Sequence, residues 1–183
     1  MTRRRAWVQV GLVAAWVACA SSSDPPPTSA TPRASALEAA LLALPGASDP
    51  AEARSLAQEA LVATAELSRR YRPLRPPHLG NLAFHVGLRE RALCCHWVED
   101  LLRALEGVEL RHYELHWVVA HHGSRLREHS AVLVLPIGGA PAEGLILDAW
   151  RHSGRLYWAR VDSDSYPWHV HPSDPQRSQL RCS

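Results

Sequence analysis

The chain has 183 residues, one domain's worth of sequence with room for extensions. Apolar residues make up 46% of it, enough to build a core, which excludes wholesale disorder. Its 20 basic residues are all arginine and face 18 acidic ones; with the leader residues Arg3, Arg4 and Arg5 set aside the count is 17 against 18, so there is no basic field of the kind nucleic-acid binding needs.

The opening "MTRRRAWVQVGLVAAWVACASSS" has a positive start, an apolar run and then small residues, the anatomy of a secretory signal over residues 1–20. The run is too short for an ordinary membrane-spanning helix. Its end, "WVAC", looks like a bacterial lipobox, with Cys19 as the lipidation site, although Trp16 stands where such a box usually has leucine. Ordinary cleavage after "ACA", before Ser21, and a retained leader acting as an anchor are the alternatives. All three export the chain, and lipidation would hold it in the cell envelope, in the periplasm or at the outer membrane. Residues 21–35, "SSSDPPPTSATPRAS", have no apolar period and read as a linker. A single folded domain is expected over residues 36–183.

Helical sequence comes first. "ALEAALLALPG" is followed by "DPAEARSLAQEALVATAELSRRYR", in which Asp49 caps, Pro50 fills the first turn, and Leu56, Ala60, Leu61, Ala63 and Leu67 share a face. The prolines of "RPLRPPHLGN" break the pattern, and residues 81–90 read as either helical or irregular. A third helix starts near Leu93 and carries Cys94, Trp97, Val98, Leu101, Leu102 and Leu105 on one stripe, ending at Gly107. Period two then takes over. In "ELRHYELHWVVAHH", Tyr113, Leu115, Trp117 and Val119 lie on one face and His112, His116 and Val118 on the other. Strand-like runs follow at "HSAVLVLPI", "GLILDAW" and "RLYWARV", joined by the turn-rich "GGAPAE" and "RHSG". The fold class is α+β: N-terminal helices and a cysteine-bearing helix packed on a mostly antiparallel sheet. The tail "PWHVHPSDPQRSQ" reads as turns, with His169 and His171 at the surface.

Four cysteines are present: Cys19, Cys94, Cys95 and Cys182. With Cys19 lipidated, three remain, and an odd number leaves a thiol unpaired. Neighbouring cysteines rarely bridge each other, whereas a Cys95–Cys182 bridge would leave Cys94 free. As a structural residue Cys94 would simply pack at a helix start. As a nucleophile it would gain from the positive end of the helix, and it would need a base and a group to orient that base. His129 begins one strand and Asp148 ends the next. If those strands form a hairpin they run antiparallel, about 5 Å apart, which brings the two within hydrogen-bonding reach.

This order of a helix-borne cysteine, a strand histidine and a strand aspartate resembles the transglutaminase-like branch of the papain-like cysteine hydrolases. It is most similar to exported bacterial members. The residues that carry the likeness are Asn81, Arg89, Arg91, Leu93, Cys94, Trp97, Asp100 and Leu101, then Glu128 and His129, then Leu147, Asp148 and Trp150. Ala92 stands where a glycine is expected, and Cys95 where an aromatic often follows the nucleophile. The likeness covers roughly residues 75–168. It implies a transglutaminase-like core and a Cys94–His129–Asp148 triad acting as a thiol hydrolase or acyltransferase on amide or peptide bonds. Asn81 or His85 would serve as an oxyanion donor beside the Cys94 amide. The partners implied are a protein or peptide substrate and, through Cys19, a membrane; no cofactor is required. The alternative is a non-catalytic binding module on the same scaffold, marked by a slow thiol or by a bridge from Cys95 to Cys94 or Cys182.

Eleven histidines raise the question of a metal. On a strand, His112 and His116 stand about 13 Å apart, too far to share an ion, so no metal site is assigned. "GGAPAEG" lacks the lysine and spacing of a phosphate-binding loop. Trp97, Trp117, Trp150 and Trp158 are expected between helix and sheet, with Trp150 alternatively walling the cleft. Arg89 and Arg91 read as solvated or paired, and Glu128 as exposed.

Overall fold

A computed structural model describes residues 32–124, 126–172, 174 and 182. The leader, Cys19 and most of the linker lie outside the described residues. Among those described, no helix is long and apolar enough to cross a membrane.

Among the described residues, four α-helices precede a five-stranded sheet. Helix α1 (Pro32–Leu42) begins four residues ahead of the folded start expected at Ala36. The reason is tertiary: Ala34 is buried, and the Arg33 guanidinium lies over the Trp158 ring at 4.7 Å while donating to the Leu156 carbonyl. Helix α2 (Pro50–Tyr71) starts as its sequence dictates, with the Asp49 carboxylate accepting from the amides of Ala51 and Glu52. Helix α3 (His78–His85) forms within a stretch whose first part is broken by proline. Pro76 and Pro77 stand just ahead of the first turn, where a missing N–H costs nothing. Helix α4 (Cys94–Leu105) buries the expected stripe of Trp97, Val98, Leu101, Leu102 and Leu105.

The strands are β1 (Tyr113–Ala120), β2 (His129–Pro136), β3 (Leu145–Asp148), β4 (Tyr157–Arg160) and β5 (Trp168–Val170). Their order is β4-β3-β2-β1-β5 and every pairing is antiparallel. The α+β class stands. Strand β5 was not legible in the tail. The three residues of β5 are too few for a period-two signal, and they are held by pairing Val118 with Val170 and Ala120 with Trp168. His171 is half-buried, its ring 5.4 Å from that of Trp117, while His169 is exposed.

Both faces of the sheet are covered. Tyr113, Leu115, Trp117, Val132, Val134, Leu145 and Leu147 meet the helices in the main core. Val118, Ala120, Ala131, Leu133, Leu135, Ile146 and Trp168 form a second apolar cluster on the opposite face, with Tyr166 and Val161 packed on it. Strand β2 is therefore buried along its whole length, which explains its unbroken apolar sequence.

Candidate active site

The β2–β3 hairpin sets the geometry. Its register pairs Val132 with Leu147 and Val134 with Leu145, which carries His129 opposite the residues just past Asp148. The His129 Nε2 lies 2.6 Å from Asp148 Oδ2, and both side chains are almost wholly withdrawn from water, at 3% and 0% exposure. Alternation along β2 and β3 places them with Ala131, Leu133 and Ile146, on the face away from the helices. Three rings enclose the imidazole: Trp150 at 4.9 Å, Tyr166 at 5.0 Å and Trp168 at 5.5 Å between centroids.

Cys94 arrives from the other layer, at the first position of α4, and meets the pair at the start of β2. Its sulfur donates weakly to the Glu128 carbonyl, 4.0 Å away. The thiol is free and half-buried. Cys95, about 100° further around the helix, is joined to Cys182 by a disulfide with 5.5 Å between Cα atoms. The two adjacent cysteines thus part company: one closes the tail onto the core and the other faces the histidine.

Electrostatics follow from burial and contact. Desolvation pulls the His129 pKa down, but the Asp148 hydrogen bond and the Cys94 thiol outweigh it and raise the imidazole to about 9. Desolvation likewise pushes the Asp148 carboxyl up, yet His129 and Arg151 overcome it and hold it below the usual carboxylate range. Among the described residues, the His129 Nδ1 is buried and has no hydrogen-bond partner of good geometry. The thiol's own donor contact is to the Glu128 carbonyl, and its nearness to the ring adds to the raised imidazole.

The approach to Cys94 is built by residues carrying the sequence likeness. Arg91 donates from Nε to the Tyr71 hydroxyl at 2.9 Å and from Nη2 to Glu99 at 2.6 Å and Asp100 at 3.1 Å. Arg89 donates to the Tyr71 carbonyl. Tyr71 donates in turn to Asp100 at 2.6 Å, and burial with that bond pushes its pKa up to about 12. Both arginines are therefore paired, clamping the segment before Cys94 to α2 and α4. The ring of His96 completes the clamp. Its Nδ1 accepts from the amides of Ala92 and Leu93 at 3.2 Å each, and burial lowers its pKa, which keeps that nitrogen an acceptor.

Of the two oxyanion candidates, Asn81 is tied to the site: its Oδ1 accepts from Trp150 Nε1 at 3.2 Å, and the Trp150 ring lies tilted against His129. Trp150 thus serves both the core and the site wall. His85 is exposed at the end of α3, its ring against Phe84. Glu128 is exposed as expected, its carboxylate accepting from the Gly123 amide at 2.5 Å.

Sequence reasoning missed Arg151, Asp164, Tyr166 and Trp168. The only signal was the turn-forming "DAWRHSG", in which an aspartate is set to accept from amides two and three residues on. Asp49, Glu52 and His112 could between them offer a metal three ligand atoms. The Glu52 oxygens are already taken by the amides of Arg111, His112 and Tyr113 and by the His112 ring, so the cluster fixes the start of β1 to α2. A concavity of about 660 Å³ between α4 and β1 is lined by residues such as Leu102, Arg103, Glu106 and Leu115, with none of Cys94, His129 or Asp148 among them. Comparison with known proteins finds no family model, no curated protein and no solved structure that matches the chain.

Proposed function

We propose that this chain is an exported, lipid-anchored enzyme of transglutaminase-like type, which transfers acyl groups from protein or peptide amides through a Cys94 thioester. The observation that carries the reading is the buried His129–Asp148 pair with its free Nδ1 on the side of an unbridged thiol. His129 takes the Cys94 proton at Nδ1, and an imidazole raised to about 9 holds that proton at neutral pH. The thiolate attacks the amide carbonyl. The Cys94 amide, in the helix's first turn, and the Asn81 side chain then stabilise the oxyanion. His129 Nδ1 gives its proton to the leaving amine, leaving a thioester. Water or a second amine attacks that thioester, with His129 taking the incoming proton, and the free thiol is restored. Asp148 holds the ring so that Nδ1 faces sulfur throughout. The leader and the Cys95–Cys182 bridge support export to an oxidising compartment.

A second reading, a non-catalytic binding module, is favoured by one observation, the same Cys95–Cys182 bridge. That bridge leaves Cys94 free and does not account for the buried pair. Alkylation separates the two readings. The enzyme predicts that iodoacetamide labels Cys94 at pH 6.5 at least tenfold faster than a simple thiol, and that His129→Ala removes the advantage. Labelling at the rate of a simple thiol, indifferent to His129, would leave the binding module. Incorporation of a fluorescent amine into a glutamine-containing peptide, compared with release of ammonia alone, then separates transfer from hydrolysis.

A further inference from the structure

Asp148 is not the end of the chain of contacts that begins at Cys94. Its Oδ2 accepts from Arg151 Nε at 2.9 Å as well as from His129, while its Oδ1 accepts from the amides of Trp150 and Arg151 at 3.0 and 2.9 Å. Arg151 turns its other edge to Asp164 in a two-pronged contact, Nη1 to Oδ1 at 3.2 Å and Nη2 to Oδ2 at 2.9 Å. The Asp164 side chain is fully buried, and that of Arg151 is 17% exposed. The faces of the guanidinium lie on Tyr157 and Tyr166, 4.3 and 4.7 Å from their ring centroids. Tyr166 is the ring that also packs on His129, and its amide donates to Asp164 Oδ1 at 3.2 Å.

We infer that Arg151, held in place by Asp164, is a positioning residue of the candidate site: it fixes the orientation and charge of Asp148 and so sets how strongly His129 holds a proton. The inference rests on the acyl-transfer reading for its functional meaning. Its physical content does not depend on that reading.

Three arguments support it. A guanidinium presents donors on two edges of one rigid plane, so it can serve two carboxylates in fixed relative geometry where a lysine could not. A lone buried carboxylate facing one imidazole would be free to rotate about χ2. Here both oxygens are engaged, so Oδ2 is presented to Nε2 in one orientation. The signs alternate as imidazolium, carboxylate, guanidinium, carboxylate, so each buried charge has an opposite neighbour and none is left uncompensated. Arg151 therefore competes with His129 for the charge of Asp148, and Asp164 moderates that competition. Among the described residues, the charged or titratable groups facing His129 are Cys94 from α4, Asp148 from β3 with Arg151 behind it, and Tyr166 from the segment before β5. Trp150 and Trp168 complete the enclosure without charge.

The opposing signs make a test. Removing the cation with Arg151→Met should raise the His129 titration midpoint by about one pH unit, the size expected for losing a charge this close. Removing the distal anion with Asp164→Asn should lower it by a similar amount, because Arg151 then draws on Asp148 alone. The midpoint is read from the ring nitrogens of ¹⁵N-labelled full-length protein by long-range ¹H–¹⁵N spectra, which also report the tautomer. The pH profile of Cys94 alkylation should move in the same two directions. A purely structural role would lower the melting temperature in both variants and leave the midpoint in place. If both midpoints stay, or both move the same way, the inference is overturned. Should Arg151→Met fail to fold, the near-isosteric Asp164→Asn decides alone: a midpoint unchanged or raised rejects the proposal. If the midpoints shift as stated while His129→Ala leaves alkylation untouched, the positioning role stands and the acyl-transfer reading falls.

Discussion

Replacing Asp148 with asparagine tests whether the His129–Asp148 pair is a charged pair or merely a shape. The substitution keeps the volume and one carbonyl oxygen. If that oxygen stays over the amides of Trp150 and Arg151, the new NH₂ group faces two donors, His129 Nε2–H and Arg151 Nε–H. His129 can restore a hydrogen bond only by moving its proton to Nδ1, the atom that takes the thiol proton in the proposed reaction. Breaking a buried pair in this way costs about 3–5 kcal/mol. At roughly 2–4 °C per kcal/mol for a domain of this size, the melting temperature should fall by about 6–20 °C. The pH dependence is the sharper signature. An imidazole raised from 6.5 to about 9 contributes stability that is fully present below pH 6.5 and lost as the pH rises through 9, and that gap is worth roughly 3 kcal/mol. Asp148, held below 3.8, contributes stability present above pH 3.8 and lost as the pH falls through its lowered value. The full contribution of the pair therefore lies between about pH 4 and 6.5. Urea unfolding followed by tryptophan fluorescence from pH 5.5 to 9.5 should show wild-type stability declining across the alkaline half of that range. In Asp148→Asn the decline should be largely gone. Equal slopes in the two proteins would refute the charged-pair account, whatever their absolute stabilities.

Removing the bridge with Cys95→Ala/Cys182→Ala opens a loop whose ends are 87 residues apart; stability should drop by about 4–5 kcal/mol in urea titrations, while iodoacetamide still labels Cys94 at the wild-type rate. Asp100→Asn should destabilise by about 2–3 kcal/mol, because the buried carboxylate holds Tyr71 and Arg91, and amide exchange should accelerate across the segment that Arg91 clamps before Cys94. Gly154→Ala should cost at least about 2 kcal/mol, since a Cβ at φ 83° would strike the Ser68 side chain and approach Pro73 Cγ to 3.1 Å. Gly107→Ala, with open space around it, should stay within about 0.5 kcal/mol of wild type and serves as its control.

The parts of the fold legible in the sequence are those fixed by local rules. Asp49 and Pro50 announce α2, and the spacing of Trp97, Val98, Leu101 and Leu105 announces α4. Tyr113, Leu115 and Trp117 announce which face of β1 meets the helices. What failed was whatever depended on cover from elsewhere. The start of α1 turns on Arg33 finding Trp158, 125 positions along the chain. Strand β5 exists because the edge of β1 is there to receive it, and no period can declare itself in three residues. Helix α3 was half-visible because prolines that end one helix also stand well just before the next.

The candidate site divides the same way. Cys94, His129 and Asp148 could be named together because a hairpin register and a helix start are local facts, and one hairpin is enough to bring His129 and Asp148 to 2.6 Å. Arg151 and Asp164 could not. "DAWRHSG" and "VDSDSYP" look like solvated turns, and nothing in their composition says that one carboxylate within them is fully buried. Their burial comes from Tyr166 and Trp168, which close over the second face of the sheet only once β5 has paired with β1. The strand hidden from the sequence is thus the one that makes the environment of His129. Without Trp168 against the ring, water would reach the imidazole and compete for Asp148, and an arginine in water would have little leverage on either. The basicity of the histidine is therefore a property of the folded sheet and not of the three residues that announce it.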